Sequence, residues 1–170
     1  MAAVAGLAYK AYQNYQAGQK PDEACNATPP TGFLPPPIDS EFAHHAAAPS
    51  TDEFTLALVK AMIAAAQADG HVDAEETNRI SEKLATSGDD EDAQQFIHAE
   101  LAKPVDIDSL VDSARSKAQK VELYTGSRQT IDPQTRSERG YLDMLAGRLA
   151  LPDSLVDHIE ATIAGATTTG

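Results

Sequence analysis

The chain has 170 residues, 42% of them hydrophobic and 5% aromatic, with 13 Lys+Arg against 26 Asp+Glu and a formal net charge of −13. Its single cysteine, Cys25, excludes an intramolecular disulfide and Cys-based zinc sites, and no apolar run reaches the ~20 residues that a membrane-spanning helix needs. The acidity is concentrated between residues 51 and 110, which carry 14 acids and 4 bases; such a surface repels phosphate backbones, so no nucleic-acid partner is expected, and cations or basic protein surfaces are favoured.

Residues 3–16, AVAGLAYKAYQNYQ, have the composition of a helix. Tyr9, Lys10, Tyr12 and Tyr15 follow its apolar start, either as a membrane-interface flank or as the edge of a face packed on the domain. Residues 17–51 hold seven of the ten prolines and read as a disordered linker with polyproline II character. Phe33, Leu34, Ile38 and Phe42 are its apolar exceptions, candidates to dock on the domain or on a partner. His44 and His45 read as solvated.

A helical domain is expected over 52–165, with a loose tail at 166–170. Its first helix, 53–68, buries Phe54, Leu58, Met62 and Ala65, with Val59, Ile63 and Ala66 alongside. That wide apolar arc marks a central helix, closed at Gly70 in the left-handed conformation. Asp73 caps the second helix with Glu76 three residues on, and Ile80 and Leu84 carry its core face. A third, capped by Asp89 or Asp90, contains Phe96, Ile97 and Leu101 and ends at Pro104. Ile107, Leu110, Val111 and Ala114 form a short fourth, and residues 117–129 a fifth with Val121 and Tyr124 inward. Thr135 caps the sixth, with Glu138 completing a second capping box and Leu142, Leu145 and Leu149 in line. Pro152 opens the seventh, which carries Leu155, Ile159 and Ile163.

The two capping boxes lie 62 residues apart, and core positions match at that offset: Val59 with Val121, Met62 with Tyr124, Ile80 with Leu142, Ile97 with Ile159. The expectation is an all-α bundle of seven helices built from two similar three-helix units.

The corner around Asp69-Gly70-His71-Val72-Asp73 invites comparison with a calcium loop. Setting Gly70 at position 6 puts Asp73 at 9 and Glu76 at 12, but Ala65 at 1 and Gln67 at 3, so a standard EF-hand fails. Asp69, Asp73 and Glu76, with Asp132 and Glu138 from the second corner, remain candidate oxygen ligands for a divalent cation such as Ca²⁺ or Mg²⁺. Helix closure by Gly70 and capping by Asp73 and Glu76 explain most of the same residues without a metal. No nucleophile elbow, phosphate-binding loop, dinucleotide fingerprint or zincin motif is present, so an enzyme is not expected. His98 and His158 read as helix-surface or boundary residues.

The stretches LAYKAYQNYQ (7–16), KAMIAAAQADGHVDAEETNRI (60–80), ELAKPVDIDSL (100–110) and TIDPQTRSERGYLDMLAGRLAL (130–151) resemble the YebE-like family of bacterial inner-membrane proteins of unknown function. Their C-terminal domain is similar to the TerB-like fold of tellurite-resistance proteins. The resemblance covers residues 1–16 and 52–165 and implies a seven-helix TerB-like domain. Carried over, the metal suspected at the acidic corner of TerB-like domains would fall to Asp69, Asp73 and Glu76, with Asp132 and Glu138 less directly. Members of the YebE-like family carry a Gly-rich apolar segment ahead of the LAYKAYQNYQ stretch, which this sequence lacks; residues 1–16 then read as the remnant of a membrane-proximal segment. The family's function is itself unassigned, so the role is read from the residues. The Pro-rich linker gives reach, the acidic first half suits a protein partner with a basic surface, and Lys10 and Lys20 after the apolar run favour the cytoplasmic face. A non-enzymatic interaction module at the inner membrane, itself soluble, is expected. The alternatives are a metal-dependent enzyme using clustered carboxylates, and a metal-binding protein tied to stress or tellurite resistance.

Overall fold

A computed structural model describes residues 2–21, 36–37, 39–43, 53–68, 70, 80, 95, 99–100, 103, 106–131, 133 and 135–167. Among the described residues there are six helices and no strand: α1 (Ala2–Gln16), α2 (Glu53–Ala66), α3 (Ile107–Ser113), α4 (Lys117–Thr130), α5 (Arg136–Arg148) and α6 (Asp153–Thr167). Of the expected helices beginning at Asp73 and at Asp89 or Asp90, most lies outside the described residues; Ile80, Gln95, Ala99 and Glu100 are described and helical, and Ile80 is fully buried. Outside them too lie Cys25, Phe33, Leu34, Ile38, His44, His45 and His98.

Several helix boundaries have a local cause. Ser116 caps α4 and Thr135 caps α5, each in a full capping box with Gln119 and Glu138 respectively. Asp106 caps α3, accepting from the Ser109 backbone N–H at 3.1 Å. Beyond α2 the chain turns at Gly70, whose φ of +82° is the left-handed conformation anticipated there. At the end of α5 the same conformation falls on an alanine: Ala150 has φ +54°. Leu151 N–H donates to Ala146 O at 3.0 Å and Ala150 N–H to Gly147 O at 3.1 Å, a Schellman closure with Leu151 buried. A left-handed alanine is strained by roughly 1 kcal/mol or more, whereas glycine is not. Ala150→Gly is therefore expected to raise unfolding stability by about 0.5–1 kcal/mol, read from urea titration; a loss would show that the closure is not strained.

The core centres on α4. Residues Val121 to Ser127 are buried without interruption, so neighbours cover the helix on all sides. α2 makes the most extensive packing with it, and α1, α5 and α6 also touch it. On the α2 side the helices approach closely at Gly126, where an added Cβ would stand 2.7 Å from Leu58 Cδ1, and Ser127 Oγ donates to Ala61 O at 3.3 Å. On the α6 side Tyr124 Oη donates to Glu160 Oε1 at 3.0 Å and Arg128 Nε to Glu160 Oε2 at 2.7 Å. Of the matching core positions of the internal echo, Val59 and Val121, Met62 and Tyr124, and Ile80 and Leu142 are buried in both halves, while Ile97 lies outside the described residues; the two leading helices, α2 and α4, pack directly on each other.

α1 is part of this core. Val4, Ala5, Leu7, Ala8 and Ala11 are buried, and the helix packs against α6 and α4. Its tyrosines meet neighbouring elements: Lys117 Nζ lies 5.5 Å from the Tyr12 ring centroid, and Tyr15 meets His158 edge-on. Phe42, one of the apolar exceptions of the Pro-rich stretch, docks there, with ring centroids 5.6 Å from both Tyr9 and Tyr12. Among the described residues no helix is long and apolar enough to cross a membrane.

Candidate functional site

A groove of about 450 Å³ lies between α2 and α3. Its α2 wall is the row Leu56, Lys60, Ile63 and Gln67, spaced i, i+4, i+7, i+11 and therefore on one face of the helix. That row is the back of the core stripe: while Phe54, Leu58 and Met62 point into the bundle, Leu56 stands 42% exposed on the rim. Leu110, Ser109 and Ser113 of α3 form the opposite wall, and Glu100 and Lys103 close one end.

The charges in the groove are already arranged. Glu100 accepts from Lys103 at 2.5 Å and lies 3.9 Å from Lys60, so one carboxylate is shared by two ammonium groups. The Asp106 carboxylate is held below the usual range by the Ser109 hydroxyl, which donates to it at 2.6 Å, and by the Ser109 backbone N–H. With its acceptors engaged and its apolar wall partly open, the groove suits the insertion of an apolar side chain better than proton transfer. A volume of this size lies in the ordinary range for ligand and side-chain pockets.

Of the proposed metal ligands, Asp69, Asp73, Glu76 and Asp132 lie outside the described residues. Glu138 is described, and its carboxylate works in the capping box: Thr135 N–H donates to Glu138 Oε2 at 2.7 Å, and Glu138 is 7% exposed. Among the described residues no group of three or more His, Cys, Asp or Glu side chains is placed to hold a metal ion.

His158 differs from its expected surface or boundary position. It is buried, with Nδ1 2.6 Å from Ser154 O and Nε2 2.8 Å from Gln19 O, and so ties α6 to the chain just beyond α1. Periodicity placed it beside Ile159 but could not show that α1 would cover that side. Glu122 was missed altogether. It is 1% exposed in the middle of α4, and burial pushes its carboxyl up to about 8. The lysines of the groove were also missed; the available signal was a lone Lys60 inside an otherwise apolar helix, whose stem can lie along apolar surface while the ammonium reaches water.

The described fold is thus an all-helical bundle wrapped on a central α4, with an open groove along one side of α2. The chain belongs to the family described as "Protein of unknown function (DUF533)", whose profile matches residues 1–163. It is also similar to a Yersinia enterocolitica protein described as "Uncharacterized protein in ampR 5'region", with 29% identity over 112 residues, 66% of this chain and 81% of that protein. No solved structure matches the chain significantly.

Proposed function

We propose that this protein is a non-enzymatic interaction module that receives an apolar side chain of a protein partner in the α2–α3 groove. The observation that carries the reading is the half-open apolar wall of that groove, with Leu56 exposed at its rim. The net charge of −13 supports a partner with a basic surface, drawn in by long-range attraction. The finer parts of the reading rest on resemblance: a TerB-like arrangement of seven helices, association with the bacterial inner membrane at its cytoplasmic face, and a divalent cation at the corners of Asp69, Asp73, Glu76, Asp132 and Glu138. Since α1 spends its apolar residues inside the bundle, membrane association in this reading runs through a partner or a segment outside the described residues.

The test is a photoreactive residue at position 56, with position 157 on α6 as the off-groove control. Adducts to a discrete basic polypeptide are expected at 56 and not at 157. With that polypeptide purified, Leu56→Ser should weaken binding about tenfold, and raising salt from about 0.1 to 0.5 M should weaken it further. Equal labelling at both positions, or affinity indifferent to Leu56→Ser, would overturn the groove as the site.

A further inference from the structure

The α2–α3 groove is too large for a single side chain. Its volume of about 450 Å³ is roughly three times the ~150 Å³ that one benzene ring occupies in an apolar protein cavity. Its α2 wall, from Leu56 to Gln67, runs about 16 Å at ~1.5 Å per residue. The groove therefore has room for a short row of side chains, and the backbone that carries them must lie across its mouth.

The polar groups of the groove decide what that backbone is. Glu100 is held by Lys103 and Lys60. The Ser109 hydroxyl and backbone N–H both donate to Asp106, and the Ser113 hydroxyl donates to Leu110 O at 2.6 Å. Gln67 is engaged as well. An extended segment brings one N–H and one C=O per residue; those turned into the groove would lose water with little there to receive them. Nor is there a sheet edge to extend, since the described elements are all helices. A helix brings its backbone hydrogen bonds already made within itself and presents only side chains to a wall.

Charge sets which way such a helix turns. Nearly all of the lining residues come from the segment 51–110, with its 14 acids against 4 bases. Lys60 and Lys103 already share Glu100 at one end. Along the α3 wall Asp106, Asp108 and Asp112 stand exposed, and of these Asp108 is paired with Arg148. We propose, resting on the reading of the groove given above and extending it from one side chain to a row, that the occupant is an amphipathic helix of the partner. Its apolar residues at i, i+4 and i+7 lie between α2 and α3, and a flank of lysines or arginines faces Asp106 and Asp112.

The test uses the isotope-labelled full chain and three synthetic peptides of about 15 residues with identical Leu, Lys and Ala content. The first places its leucines at i, i+4 and i+7 with the lysines on one flank. The second alternates the leucines with other residues, as a strand would show them. The third spreads them around the helix. Methyl shifts of Leu56, Ile63 and Leu110 should saturate with the first peptide at an affinity at least about tenfold above the other two. Asp112→Lys should weaken that binding severalfold, while Asp157→Lys, the same charge change on α6, should alter it far less. If the alternating peptide shifts the groove methyls as strongly as the first, the helix is overturned and the groove stands. Equal binding of the third peptide, or equal losses from Asp112→Lys and Asp157→Lys, would reduce the interaction to net charge and overturn the proposal too. No saturable shift of the three methyls with any peptide would remove the groove as a site, and this inference with it.

Discussion

Glu122→Gln is expected to flatten the dependence of unfolding free energy on pH, and to make the variant more stable than the parent above pH 8. The sign follows from proton counting. In the unfolded chain Glu122 titrates near 4.5; in the bundle burial holds its proton up to about 8. Between these values the native state binds more protons than the unfolded state, so stability falls as pH rises. It is undiminished below about 4.5, lost progressively from there to about 8, and constant above. The shift corresponds to at most about 5 kcal/mol, a large part of a typical domain's stability. A glutamine keeps the shape and cannot ionise, but leaves a buried amide that costs about 1–3 kcal/mol. The two effects set a crossover: the parent is equal or better near pH 5, and the variant gains about 2–4 kcal/mol by pH 9. Tyr124 and Tyr141 do not intrude, since burial, joined at Tyr124 by the Glu160 charge, pushes both hydroxyls upward, Tyr141 to about 12. Urea unfolding followed by circular dichroism at pH 5, 7 and 9 measures the difference between parent and variant. Parallel profiles for parent and variant would mean that Glu122 is solvated in the native state.

What the sequence disclosed, and what it withheld, divides along one line. Local signals held where the cause was local. The capping box at Thr135 and Glu138, the left-handed Gly70, the stripe Leu142-Leu145-Leu149 and the inward Val121 and Tyr124 all lie as their spacing indicates. Features that depend on which helix covers which could not be read that way. An apolar stripe marks the face that is buried first, but α4 is enclosed on all sides, and nothing in KVELYTGSRQT announces that Glu122, Thr125 and Ser127 are buried with their neighbours. A helix polar around most of its circumference ordinarily faces water. Here its threonines satisfy themselves on their own backbone carbonyls, which lets polar residues enter the core without external partners. The same limit applies to α1, where Tyr9, Tyr12 and Tyr15 suited either a membrane flank or a packed face until Phe42, Lys117 and His158 were seen against them. The groove was hidden for a related reason: Leu56 and Lys60 stand on the back of a recognised core helix, and only the position of α3 turns that back into a wall.

The contact at Gly126 is the second place where such an arrangement carries a large effect. A β-carbon there would stand 2.7 Å from Leu58 Cδ1, 3.6 Å from Leu58 Cγ and 3.7 Å from Met62 Cγ. For Gly126→Ala two terms oppose each other. Helix propensity gains about 1 kcal/mol, while the Leu58 methyl must leave its place in a packed core, an off-rotamer cost of about 0.5–1.5 kcal/mol, so the net is near zero. Gly126→Val adds two further methyls and has no such compensation; overpacking makes it about 3 kcal/mol destabilising. Leu58→Ala alone should cost about 2–5 kcal/mol, because Leu58 is 2% exposed and its removal leaves a cavity. Combined, the two substitutions fill one another's defect, since the valine methyls enter the space that Leu58 vacates. The double variant is expected to recover at least about 1 kcal/mol relative to the sum of the single losses, a coupling that only residues in contact show. Urea unfolding of the parent, the two single variants and the double variant closes the cycle. Additive losses would mean that α2 and α4 do not approach at Gly126. Coupling would establish that these two helices, the matched pair of the internal echo, meet through a glycine in one and a leucine in the other.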